Sequence, residues 1–531
     1  MSLIETFPAE VPADTRKYAD PVMPADSVCR LLGDRAEAII DESVLAGLYA
    51  QRGRGAINPV LLSFVLILQF LEKLPDRQAA MMCKVRLDWQ YALRQPPGWA
   101  GFDYSSLCNF RKRLYAHGQE NVIFEQVLSY LQGLGYLKSG RQRTDATHVL
   151  GAVERLNRLE LVWETLRLAL VALINADAQW VLSQLPVSFV NVYSQKRADF
   201  RLSKEQVAQA MLTAGQDGFW LLSQVAGTDL ASLPEIMTLA QVLQQQYEQG
   251  AGSAGSGGQV KAKANVDATG DVIASPHDPA VRFSRKRDLS WQGYKLQVSE
   301  TIDSDFPIIN DIGIHSAIEG DGQALEAIYE RLEERGQLPE THYVDQGYCN
   351  GKTLHKSQER GVNLRGRVGD DTRKPVGFRL QDFDIDLDKL RAVCPAGRLA
   401  TSFKPSSQPD VGWHVRFSKQ CRGCLFRPLC TIGKRGRSLE VSPWHDYLTR
   451  RRREQERPEF KEEMNKRVRI ESTIAELTRR HGLRHSRYRG QRKVGLQAAS
   501  TAAAVNLKRL AGHLAQEAVS FTRLSLAICS L

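Results

Sequence analysis

At 531 residues the chain is long enough for several domains with proper cores, and its 43% hydrophobic and 25% charged content is ordinary for a soluble globular protein. The net charge of +11 is unevenly spread, with dense arginine runs in the C-terminal third, which points to a polyanionic partner such as nucleic acid. The opening MSLIETFPAE is not a signal peptide, and the most apolar run, Val60–Leu71, is shorter than the ~20 residues a membrane span needs. Nine cysteines, five of them scattered singly, do not form a secreted disulfide framework, so a cytoplasmic setting and no membrane partner are expected.

Residues 1–137 read as a helical domain. Apolar spacing predicts helices over Pro59–Leu74, Asp76–Leu93, Ser105–Tyr115 and Glu120–Leu134, with Ser105 as an N-cap. Arg111, Lys112 and Arg113 follow that cap. They suit either a solvated basic face or a surface that recognises DNA ends.

At Arg141 the pattern changes to a strand, RQRTDATHVLG, with Asp145 at its centre. Helical spacing returns from Glu154 to about Tyr247, and AGSAGSGG at Ala251–Gly258 is a flexible connector. A stretch of that length, 154–258, is a subdomain inserted into a sheet rather than a loop. Trp291–Ile302 and Pro307–His315 then read as an antiparallel pair turning at Asp303–Phe306. A helix over Gly322–Arg335 follows, with Asp321 as its cap. THYVDQGYCNG is a strand ending on Asp345, where the chain turns into a helix over Lys352–Arg360, a favoured position for ligand-binding groups in α/β sheets. Asn363–Val368 is a further strand.

Regular patterning fails over 369–450. The alternating acids of DFDIDLDKL are not a calcium loop, because Lys389 stands where that loop needs glycine. Cys394, the Cys421-x-x-Cys424 pair and Cys430 suit either a tetrahedral zinc site or four reduced cysteines in a small core. From Asn465 a helix carries Arg467 and Glu471, four apart and so on one face, within a stripe of cations that continues through Arg487, Arg489, Arg492 and Lys493. An alanine-rich helix over Leu496–Leu510 precedes a tail, 511–531.

The order is strand with Asp145, antiparallel pair, helix, strand with Asp345, helix, strand, insertion, helix with Glu471. With it stand DRQAA, FDYSSLCNFRKRL, TDATHV, HYVDQGY, CPAG…CRGC…C and RIES…RYRGQRKV…NLKRL. This ordered set resembles the DDE transposases of bacterial insertion sequences, members of the RNase H-like and retroviral-integrase superfamily, over about Arg54 to Leu510. The resemblance implies an α/β fold: a mixed five-stranded RNase H-like sheet with flanking helices in a catalytic domain, 138–510. It implies Asp145, Asp345 and Glu471 as catalytic ligands of Mg2+ or Mn2+, because in-line phosphodiester displacement needs two cations roughly 3.5–4 Å apart fixed by carboxylates. It also implies double-stranded DNA partners, both element ends and target, and a homodimer or higher oligomer on DNA. Arg467, Arg487, Arg489, Arg492 and Lys493 would hold phosphates. In a related helix pattern Arg467 and Glu471 match, while Met464 and Thr478 stand where that pattern has Tyr and Lys. A host nuclease that cleaves without joining, or a DNA-binding protein that has lost catalysis, are the competing readings.

Overall fold

The computed structural model describes residues 2–3, 6–50, 52, 55–195, 202–249, 260–286, 288–369, 377–408 and 411–529. The connector Ala251–Gly258 lies outside them. Helix α1 (Pro59–Leu71) opens on Asn58, whose side-chain oxygen accepts the Val60 N–H at 2.8 Å, with Pro59 preset for the first turn. Its apolar sequence is buried on every face, as a helix wrapped by neighbours must be. Among the described residues no helix is long and apolar enough to cross a membrane.

The expected helix over Asp76–Leu93 is two, Asp76–Val85 and Leu87–Ala92, broken at Arg86. That guanidinium is held by Glu72 at 2.5 Å and by Asp88. Helix α2 (Ser105–Ala116) is capped by Asp103, which accepts the Ser105 N–H at 2.9 Å, rather than by Ser105 itself. Helix α3 (Val122–Gly133) completes the N-terminal region that matters for the site.

The central sheet has strands β1 (Arg141–Leu150), β2 (Arg282–Lys286), β3 (Leu289–Thr301), β4 (Ile309–Ser316), β5 (Thr341–Tyr343) and β6 (Asn363–Arg365). Across it run β6, β5, β1 and β3, while β2 and β4 share the far edge of β3. β2 lies along the first half of β3 and β4 along the second. β1, β2 and β4 pair antiparallel with β3; β5 is parallel to both β1 and β6. Parallel neighbours need crossovers, supplied by α4 (Asp321–Glu334) before β5 and α5 (Gly351–Glu359) before β6. The sheet is thus six-stranded rather than five-stranded. The extra strand, β2, carries the basic run RFSRK, whose charges hide its pairing with β3.

The helical insertion has its own core, with Leu166, Leu170, Leu221, Leu239 and Leu243 at its centre. The segment between β6 and about residue 445 also forms a separate small core around Phe383, Val415, Phe417 and Val441. It is built from a hairpin (Asp384–Asp386 with Arg391–Val393) and a three-stranded sheet (Ser402–Pro405, Trp413–Arg416, Ser438–Val441).

Helices α6 (His445–Glu454), α7 (Pro458–Val468) and α8 (Ile470–Ala475) return the chain to the central sheet, and a wider π turn, Glu476–Arg480, follows. The last helix, α9 (Gln491–Cys529), continues through the segment expected as a tail. Its alanines (Ala498, Ala499, Ala502, Ala503) let it pass close to α1, α3 and β4 in one core shared by the N-terminal helices and the sheet. Asn506 reads β4 directly: it accepts from the Ile309 N–H at 2.9 Å and donates to the Ile309 carbonyl at 2.8 Å.

Candidate active site

β5 pairs with only the start of β1, in the register Arg141 with Thr341, Gln142 with His342 and Arg143 with Tyr343. Asp145 and Asp345 each stand two residues beyond the last of these pairs, Asp145 on β1 and Asp345 just past the end of β5. The chain leaves the sheet there: Asp345 is exposed at the start of a 3-10 turn, Gln346–Tyr348. Burial raises the Asp145 carboxyl above its usual range, opposed by the Ala146 amide and Arg467, while the Asp345 charge adds to the rise.

Glu471, on α8, is linked to Asp145 through a shared arginine. Arg467 stands between the acids: it donates to Asp145 Oδ2 at 2.7 Å and pairs with Glu471 Oε1 at 3.6 Å. Glu471 is otherwise turned outward, its side chain 63% exposed. Two other glutamates near it are engaged in structure. Glu463 accepts the Tyr343 hydroxyl at 2.9 Å and the Arg365 guanidinium at 3.1 Å. Glu476 pairs with Lys508 at 2.5 Å and Arg509 at 3.0 Å, and with His481 these hold its carboxyl far below the usual range.

The seating of α7 and α8 rests on a buried ion pair that the charge pattern does not announce. Arg143, on β1, bonds Glu300 of β3 at 2.6 Å, and both are almost fully buried. Arg143 also donates to the Lys466 carbonyl at 2.9 Å, next to Arg467, and Glu300 accepts the Thr473 hydroxyl at 2.5 Å, just past Glu471. The pair therefore brackets the helical stretch that carries Arg467 and Glu471. Glu300 stands out in the sequence only as an acid inside the apolar alternation of β3.

A second polar set lies under the Asp345 turn. The buried Tyr348 hydroxyl donates to Gln297, which faces Ala146 across the β1–β3 register. Gln297 in turn approaches Asp321 at 3.5 Å, and Asp321 pairs with Lys295 at 3.0 Å. Asp321, expected as a helix cap, thus turns toward the sheet from the first turn of α4.

The cations expected to meet DNA divide into two groups. Arg111 is buried, paired with Asp76 and stacked on Tyr488, so it is removed from any DNA-facing surface. Arg487 is half-buried, donates to the Leu74 carbonyl at 2.7 Å and lies over Phe70; it ties α1 to the C-terminal region. Lys112, Arg489, Arg492 and Lys493 are exposed, and Arg113 lies half-exposed over the Tyr49 ring. Arg492 pairs with Glu120, and Arg489 donates to the Ala152 carbonyl at 3.1 Å.

Cys394, Cys421, Cys424 and Cys430 line one cavity of about 20 Å³ in the small core of the Cys-rich segment. Among the described residues no group of three or more His, Cys, Asp or Glu side chains stands close enough together to hold a metal ion as it is.

Comparison with known families gives two matches. Residues 20–113 match a model described as a transposase domain (DUF772), and residues 393–511 match one described as a transposase DDE domain. The second match includes Arg467, Glu471 and the four clustered cysteines; Asp145 and Asp345 lie outside it. No curated protein and no solved structure matches the chain. Matched by one transposase domain model toward each end of a mixed α/β architecture, the chain carries the domains that indicate a DDE-type transposase of an insertion-sequence family.

Proposed function

We propose that this transposase binds the ends of an insertion sequence and catalyses metal-dependent cleavage and transfer of DNA strands, on an RNase H-like fold. The observation that carries the reading is Arg467, which bonds Asp145 at 2.7 Å and pairs with Glu471 at 3.6 Å, while the charge of Asp345 acts on Asp145. The sheet order supports the fold: four strands paired antiparallel, then two parallel ones added on the β1 side.

The donor set is carboxylate oxygen, which suits a hard divalent ion, Mg2+ or Mn2+. Asp145, Asp345 and Glu471 would hold it. When bound, such ions stabilise charge on the attacking and leaving oxygens of a phosphodiester displacement. The rest falls to the chain itself. Arg467 balances the acids with the positive charge that keeps two carboxylates together in a half-buried site. Arg143 and Glu300 fix the helix that presents Glu471. Lys112, Arg489, Arg492 and Lys493 hold phosphates and position the duplex without reading its sequence. Joining two element ends to a target requires at least two copies on DNA, so a homodimer or higher assembly is part of the proposal, acting at the cytoplasmic nucleoid.

The test is incubation of the full chain with labelled DNA carrying the flanking ends and Mg2+. Nicked and joined products are expected. Asp145→Ala, Asp345→Ala and Glu471→Ala should each abolish both while DNA binding persists, since removing negative charge beside phosphates does not weaken attraction to them. Cleavage without joining would identify a nuclease. Normal cleavage by all three variants would refute the site.

A further inference from the structure

Away from the acid site, the Cys-rich segment brings four cysteines from three stretches of chain to one small cavity. Cys394 begins the turn Cys394–Gly397 after the strand Arg391–Val393, closed by a Gly397 N–H bond to the Cys394 carbonyl at 2.8 Å. Cys421 and Cys424 flank a second tight turn in which Gly423 takes φ +65°, and Cys430 ends the short helix Arg427–Cys430. None of the four is in a disulfide. All four line the same cavity, together with Phe417 and Arg437.

Polar groups reach the cluster from the chain that follows it. The Arg437 backbone N–H donates to Cys421 Sγ at 3.4 Å. Gly436, at φ +92°, lets that strand approach: a Cβ there would stand 3.1 Å from the same sulfur. The Arg437 side chain is buried against the cluster and donates to the Cys430 carbonyl at 3.2 Å. The apolar core alongside is small, with Phe383, Val415, Phe417 and Val441 among its few large members, and cores of that size need a staple.

We infer that Cys394, Cys421, Cys424 and Cys430 bind one zinc ion that staples this segment. Two tight turns facing one another across a cavity of about 20 Å³, with a backbone N–H aimed at a sulfur, is an arrangement for a closed thiolate site. In the structure the four sulfurs line the cavity but do not form a finished metal-binding group. Loading would draw the Cys394 and Cys421–Cys424 turns inward and release the thiol protons. This inference is independent of the acid site.

The experiment is metal analysis of the purified full chain, followed by exchange with cobalt. About one equivalent of zinc is expected, as four thiolates close a site. The cobalt form should show thiolate-to-metal charge-transfer absorption. The double variant Cys421→Ser, Cys424→Ser should lose both signals, whereas Cys108→Ser, an exposed cysteine elsewhere, should keep them. Even if the double variant folds poorly, the wild-type chain decides the matter. Wild-type protein without zinc, whose four thiols react with a thiol reagent at the same rate whether or not zinc is added, would overturn the inference. So would a disulfide between any two of them.

Discussion

Replacing Glu300 by alanine should be among the most damaging single changes outside the acids themselves. The carboxylate is fully buried and serves three partners: Arg143 at 2.6 Å, the Thr473 hydroxyl at 2.5 Å, and Arg509 at 3.5 Å. Its removal leaves Arg143, itself 5% exposed, with the Lys466 carbonyl, and takes from the buried Thr473 hydroxyl its acceptor, leaving it the bond it accepts from Arg509 at 2.7 Å. Breaking a buried pair from one side costs about 3–5 kcal/mol. Against a total of ~5–15 kcal/mol for a folded domain, that is a large part of the margin. Urea denaturation of the full chain measures the loss, and end cleavage measures its effect on the site. The informative partner is the double variant Arg143→Met, Glu300→Leu, which replaces the pair by apolar groups and should recover much of the stability. It should not recover cleavage, because the Lys466 carbonyl and Thr473 would still lack the anchors that seat Glu471. A stable double variant that cleaves at the wild-type rate would refute the bracket argument, as would a loss below ~1 kcal/mol for Glu300→Ala, the range of an exposed pair.

Two further outcomes follow from buried groups. His342 is held between Thr144 at 2.6 Å and Tyr329 at 3.2 Å, and burial lowers its pKa to about 3. The unfolded chain therefore binds the extra proton first: this contribution is fully present above the ordinary histidine value and is lost as pH falls toward 3. Stability should drop by about 2 kcal/mol more between about pH 8 and pH 5 in the wild type than in His342→Gln, at ~1.4 kcal/mol per pH unit; equal slopes in urea titrations would contradict it. On the DNA side, Arg489→Ala or Lys493→Ala should lower the salt dependence of binding by about one unit each. Arg111→Met should leave that slope unchanged while lowering the melting temperature, and a slope change like that of Arg489→Ala would return Arg111 to the DNA surface.

The strands near Asp145 and Asp345 were readable because each is a short run between turn or helix signals with one acid, Asp145 within its strand and Asp345 where the run stops. The pairing of those strands was not, since it depends on a crossover through α4 that leaves no local mark. Charge misled where it was internal. Arg111, Arg487 and Arg86 look like surface cations in a basic chain, yet each is held by a carboxylate, a carbonyl or an aromatic ring within the fold. The same blindness hid β2, whose arginines and lysine obscure a strand, and Asp321, whose position suited a cap while its side chain pairs with Lys295. Separate regions in sequence were also not separate cores: α9 joins the N-terminal helices to the sheet, which no pattern within either stretch could reveal.

That junction sets an order of events during folding. The Leu71 carbonyl meets His481 410 residues away, that of Arg479 meets Lys73 across 406, and that of Leu74 meets Arg487 across 413. Contacts so distant along the chain form slowly, because loop closure must precede any gain from them. The helical insertion and the Cys-rich segment, each closing its own core locally, can be complete while the central sheet still awaits α9. Until α9 arrives, the apolar faces of α1, α3 and β4 lie open together, and that interval is when this chain is most exposed to aggregation.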